Sequence, residues 1–288
     1  MNNQMSLIDW ALILGIGSIW GASFLFVRIA VPEMGPLNVV ASRMIIGALF
    51  LAPFFLRIKH LRKIKEHFPV ILFFSLFYAV FPFLLFANSA LVLSAGTLSI
   101  LNSTTPLFAL VISIVWLKTK FSFLQLAGLL LGIFGILTII GFQSITFSIW
   151  PFIFCLVAAF FYALSSTFIY KLEDIDPSYL ATISLLIGFF IAFPFTFIDG
   201  GIDLDQEFRV LLSIFLLGTL CTGLGYIGHM FLIKRIGPVR ATTSLFIVPI
   251  SGMFLGNMFL SESITLFMIL GCVLILIGVA MTNLQREN

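Results

Sequence analysis

The chain of 288 residues is 61% hydrophobic and only 9% charged. No soluble domain of that size could hide so much apolar surface, so a soluble enzyme or binding module is excluded. The net charge of +3 forms no concentrated patch on a folded face, so no nucleic acid is expected as a partner.

Apolar runs of about twenty residues, the length that crosses the hydrocarbon core, can be counted along the chain. They predict an all-α membrane protein with ten transmembrane spans, at roughly 10–31, 36–57, 69–88, 94–117, 122–142, 148–170, 178–198, 210–233, 240–260 and 264–283, edges uncertain by about 2–4 residues. The first span is too long for a signal-peptide core, and residues 1–9 carry no Lys or Arg, so it reads as a retained helix. It holds Trp20 and Ser23, with Arg28 toward its far end. The second span opens at Pro36 and carries Arg43 and Gly47. An arginine inside a membrane is costly and by default a functional candidate. The structural alternatives are that Arg43 satisfies carbonyls at the outer end of the first span or snorkels to a headgroup. The basic run 57–65 reads as a topology determinant.

Tyr78 lies in the third span. In the fourth, Ser99, Asn102, Ser103 and Pro106 fall at i, i+3, i+4 and i+7, on one helical face. Such a face turns inward, and Asn102 offers two donors and an acceptor to a solute. Small polar residues also serve as glue between helices. Pro106 removes a backbone hydrogen bond and frees the Asn102 carbonyl, which makes a hinge; Pro249 does the same in the ninth span. Gly128 and Gly135 in the fifth span, and Gly271 and Gly278 in the tenth, permit close helix approach between the two halves or between protomers. The sixth span holds Tyr162 and the eighth holds Tyr226 and His229. This histidine either titrates near neutral pH or bonds a neighbouring helix. Cys155, Cys221 and Cys272 fall in apolar runs and read as small apolar side chains.

The second half repeats the first. Pro36 and Gly47 recur as Pro177 and Gly188, Trp20 and Ser23 as Tyr162 and Ser165, and Pro106, Gly128 and Gly135 as Pro249, Gly271 and Gly278. Corresponding loops differ in charge: the basic run 60–65 matches the acidic loop from Asp199 to Glu207, and Lys118-Thr-Lys120 matches Ser261-Glu-Ser263. Similar units facing opposite ways across a bilayer produce that pattern. With the N-terminus inside, twelve of the fifteen Lys and Arg lie in inside loops and the tail, Arg209 lies outside, and Arg28 and Arg43 lie within spans. Both termini are therefore expected in the cytoplasm.

The string Ile19-Trp-Gly-Ala-Ser-Phe24, then Pro36 with Ala41-Ser-Arg43, then Pro106 midway along the fourth span, resembles the drug/metabolite transporter superfamily and within it the EamA family of ten-span carriers. The resemblance covers nearly the whole chain. It implies two inverted five-helix repeats, 1–143 and 144–288, around a central cavity closed alternately at each face of a bacterial inner membrane. It also implies export or uptake of amino acids and other small metabolites. Members often carry Glu at the end of the fourth span of each repeat; Glu262 fits in the second repeat, whereas the first has Thr119. If that Glu caps the next helix or binds a partner, only the second repeat retains the contact.

All twelve Asp and Glu lie in loops, tails or span edges. A site for organic cations, and proton coupling through a buried carboxylate, are thereby disfavoured. Trp20, Tyr78, Tyr162 and Tyr226 sit mid-span, away from the interfacial belts. They suit the walls of a pocket for a small organic solute, with core packing as the competing account. The candidate binding set is Trp20, Arg43, Tyr78, Asn102, Tyr162, Tyr226 and His229, with Pro106 and Pro249 as hinges. No catalytic residue, metal or cofactor is expected. The function expected is secondary transport of small organic metabolites by alternating access, amino acids or related carboxylated compounds leading, because an arginine fork matches a carboxylate. The partners are then the solute and the lipid bilayer, with the chain a monomer or homodimer. An intramembrane enzyme would need clustered Asp, Glu and His, and the acidic loop 199–207 has no His. A non-transporting scaffold would not require kinking prolines in matched places. No Gly-x-x-x-x-Gly-Lys loop is present, so ATP is not expected to be hydrolysed.

Overall fold

The computed structural model describes residues 5–55, 63–116, 118, 122–143, 148–169, 176–236 and 241–283, so Thr119 and most of the basic run 57–65 lie outside the described residues. Among the described residues every regular element is helical. Among the described residues nine helices are long and apolar enough to cross a membrane: α1 Leu7–Met34, α2 Pro36–Phe55, α3 His67–Ser89, α4 Ala95–Trp116, α5 Phe123–Gly141, α6 Trp150–Phe168, α7 Ser178–Asp199, α8 Phe208–Ile233 and α9 Thr243–Leu260. A shorter apolar helix, α10, follows at Leu266–Thr282. In hydrocarbon a helix satisfies its own backbone, which is why uninterrupted apolar runs become helices here.

Local chemistry sets the ends. Ser6 and Asp9 form a capping box at the start of α1. Gly35, at φ 78, turns the chain into Pro36, the first residue of α2. Asp176 accepts from the Ser178 and Tyr179 amides at the start of α7.

The tightest seam joins α5 to α10. A Cβ on Gly128 would lie 2.7 Å from the Gly278 carbonyl oxygen, and one on Gly135 would lie 2.8 Å from that of Gly271. Only glycine lets the backbones approach so closely. Because the earlier residue of one helix meets the later residue of the other, the two helices run antiparallel. These glycines are a contact within one chain, between the first five helices and the last five. Elsewhere α1 packs on α9, where the Ser251 hydroxyl donates to the Gly17 carbonyl at 3.3 Å, and α2 packs between α7 and α8.

Five irregular segments interrupt the bundle, and four fall in matched places. π-helical turns occupy Ser75–Val80 in α3 and Leu217–Leu224 in α8. The helix of α4 breaks between Asn102 and Thr105, and a 3-10 segment, Thr242–Phe246, opens α9. Pro106 and Pro249 both fall in the first turn after these breaks, where a missing N–H costs least. A further 3-10 segment, Phe193–Asp199, closes α7.

Core packing differs between the ends. One large cluster fills the middle and the end opposite the start of α1, with Val27, Met34, Val39, Phe86, Leu93 and Leu98 all buried. Toward the end holding the start of α1 the core splits. Ile71, Phe74, Tyr179, Leu180 and Ile183 join α3 to α7, while Ile13, Ile16, Leu232 and Ala241 join α1 to α8 and the approach to α9.

Candidate substrate cavity

The split encloses a cavity of about 560 Å³, within the usual range for small-molecule sites. Its lining runs from Val27 and Phe86 near the packed end to Leu180, Ile233 and the exposed Ser166 near the other. Trp20, Arg43, Tyr78, Asn102, Tyr162, Tyr226 and His229 all line this one space, as does Pro106. Pro249 does not line it. It is buried, although Leu245, one turn earlier, is part of the wall.

Among the described residues Arg43 bonds no carbonyl of α1. Its Nε donates to Thr222 Oγ1 at 2.9 Å, and its Cζ lies 3.8 Å from the centre of the Phe83 ring, a cation–π contact. Thr222 in turn donates to the Leu217 carbonyl, inside the π-turn of α8. Among the described residues no carboxylate pairs with Arg43 and none lines the cavity. Tyr162 stacks on Phe86 at 6.2 Å and meets Tyr78 edge-on at 5.9 Å. Trp20 tilts against His229 at 4.8 Å, and the His229 Nδ1 is buried without a partner. Tyr226 pairs with the Ser178 side chain across to α7.

The polar face of α4 divides. Asn102, Ser103 and Pro106 reach the cavity, but Ser99 is fully buried against Gly252 of α9, where it is glue. The Asn102 carbonyl is not free either, because the Thr105 hydroxyl donates to it at 2.7 Å. The hydroxyls of Ser23 and Ser166 likewise donate to carbonyls of their own helices. Apart from Arg43, the walls are mostly aromatic and aliphatic.

Of the two roles raised for Glu262, capping the next helix or binding a partner, the contacts are those of the second. It does not cap the helix that follows it. Its Oε2 accepts from the Ala95 amide at 2.9 Å, at the start of α4, and its Oε1 lies 3.5 Å from Arg28 Nε. Arg28 also donates to the Ala90 carbonyl at 2.9 Å, so the second arginine of the spans has a structural post. Burial pushes the Glu262 carboxyl above its ordinary range, opposed by the Ala95 amide and by Arg28. Beside it Asp199 accepts from the Leu37 amide, and the Asn38 side chain donates to the Asp199 and Gly201 carbonyls. Among the described residues no group of three His, Cys, Asp or Glu could hold a metal ion.

Phe83, Phe86 and Thr222 were not singled out by the sequence. One signal was present for the α3 turn: Pro82 lacks the N–H that would bond the Tyr78 carbonyl, and the π-turn lies directly ahead of it.

A bundle of membrane-crossing helices wrapped around a cavity of solute size is the build of a membrane transporter. The EamA-like transporter family matches residues 9–141 and again 149–284, and the chain belongs to that family. It is 28% identical to the uncharacterized transporter YoaV of Bacillus subtilis (strain 168), over 94% of this chain and 95% of that one. It is 26% identical to a probable amino-acid metabolite efflux pump of Escherichia coli (strain K12), over 95% and 94% of the two chains. A solved crystal structure superposes with a TM-score of 0.65 over 94% of this chain and 96% of the other, at 15% identity, a likeness of fold alone.

Proposed function

We propose that this chain is a secondary carrier of small carboxylated metabolites, amino acids being the leading case, and that it works by alternating access. Arg43 carries this reading. It is held by Thr222 and Phe83 inside an aromatic cavity, with no described acceptor for its two terminal amino groups. A guanidinium so held offers a fork that a carboxylate matches, in a site dry enough to strengthen the contact. Trp20, Tyr78, Tyr162, Tyr226 and His229 bound the remainder of the solute, and Asn102 takes its ammonium without a formal counter-charge. That combination implies weak binding, which suits a carrier that must release its load. The efflux-pump relative points the same way.

In this reading residues 1–143 and 144–288 are inverted five-helix repeats, α10 is the tenth span, and both termini face the cytoplasm of a bacterial cell. The antiparallel glycine seam and the matched π-turns support the inversion. Pro106 and Pro249 are the hinges. The glycine pairs of α5 and α10 are used within one chain, not between protomers, which supports a monomer. Flux of labelled amino acids in proteoliposomes tests the proposal. Arg43→Lys keeps the charge but loses the fork, and is expected to lower transport of carboxylated solutes by about tenfold or more while preserving insertion. Normal transport by that variant, or preference for the corresponding amines, overturns the assignment.

A further inference from the structure

Among the described residues that line the cavity, Arg43 is the one permanent charge and no carboxylate stands beside it. Arg43 has a neutral partner, Thr222, and an aromatic face, Phe83, but no described anion. The described carboxylates nearest the cavity are engaged elsewhere: Glu262 with Arg28 and the Ala95 amide, Asp199 with the Leu37 amide, Asp9 with Arg235. Asp176, close enough for its charge to reach Tyr226, is engaged with the Ser178 and Tyr179 amides. While the cavity communicates with one face, water entering it hydrates the guanidinium. A carrier that reverses its open side must pass through a state closed at both. Closing around an empty site strips water from an unpaired cation against apolar walls, which is unfavourable even with a ring beneath it. Closing around a bound carboxylate is different, because the solute's anionic group pairs the guanidinium in the geometry the fork requires. An ammonium on the same solute is met by the Asn102 side-chain carbonyl and the faces of Trp20 and Tyr78.

We infer that the cavity reverses readily only when loaded, so that the protein is an exchanger, moving one carboxylated solute in for each one moved out. This rests on the carrier reading above. It adds to it that net, one-way movement is slow because the empty return is slow. The charge on Arg43 alone sets the mode, and no proton or cation need be coupled to it.

Liposomes containing the purified full-length chain are loaded either with buffer or with an equimolar mixture of the twenty protein amino acids. Isotope-labelled mixture is then added outside, and uptake is read by mass spectrometry. Uptake is expected to be at least about tenfold faster into the loaded vesicles, since only they avoid the empty return. Equal rates overturn exchange while leaving the carboxylate reading intact. No movement of any amino acid in either arrangement, with movement of amines such as phenethylamine, overturns the substrate reading and exchange with it. Arg43→Gln removes the unpaired charge. Its exchange is expected to slow through weaker binding, while the ratio of exchange to net uptake falls toward one. A ratio unchanged from the native chain overturns Arg43 as the cause. The comparison on the native chain decides the proposal even where that variant fails to insert.

Discussion

The two ends of α1 each carry an ion pair, and the pairs do different things. Asp9 meets Arg235, just past the end of α8, a helix that already shares a packed cluster with α1. This bond stays within one lobe. Arg28, nineteen residues further and so about 28 Å along the helix, bonds the carbonyl that ends α3 and pairs with Glu262, which also holds the first turn of α4. Asp199 then ties the end of α7 to the start of α2. Polar contacts that cross the bundle close one end, and contacts confined to a lobe leave the other divided. The number of charges does not separate the two ends; what their partners belong to does.

Cutting the crossed contacts should have the largest effect. Glu262→Ala leaves the Ala95 amide without its acceptor and Arg28 without its counter-charge, at a cost of about 1–3 kcal/mol. A lowered Tm in detergent, together with new labelling of a cysteine at Val27 by reagents from that side, is the expected outcome. An unchanged Tm and no labelling would show that apolar packing alone seals this end.

Acidity sharpens the same contrast. Burial raises the Glu262 carboxyl, so the folded chain takes up this proton more readily than the unfolded one. Its contribution to stability is therefore fullest at or below the usual carboxylate range and is lost as pH rises through the raised value. The difference in Tm between the native chain and Glu262→Gln should move in the native chain's favour as pH falls. Movement the other way would mean that pairing with Arg28 outweighs burial. The smallest effect is expected at the divided end. Arg235→Ala removes an exposed partner and should change Tm less than Glu262→Ala does, without altering labelling at the closed end.

Much of this was legible in the chain, for reasons that can be named. Lipid forbids unpaired backbone, so helix runs announce themselves by length and composition. An arginine in such a run is conspicuous, and the aromatic residues chosen for lying away from the interfaces all came to one cavity. Pairings between distant helices were not legible. Nothing local connects Arg43 to Thr222 or Glu262 to Ala95, and both contacts depend on which helices become neighbours. Ser99 and Asn102 share a helical face on paper, yet in the segment before the break Ser99 meets Gly252 of α9 while Asn102 reaches the cavity. That break follows from Thr105 bonding the carbonyl that Pro106 released, a detail of side-chain geometry.

The contact between Trp20 and His229 has a consequence of a different kind. Of the four tryptophans, Trp10, Trp116 and Trp150 lie exposed on the outside of the bundle, and only Trp20 lines the cavity. A solute that arrives there changes the surroundings of a single indole and leaves the other three as they were. The chain thus carries its own optical reporter of occupancy, one whose intrinsic emission can be followed without adding a dye.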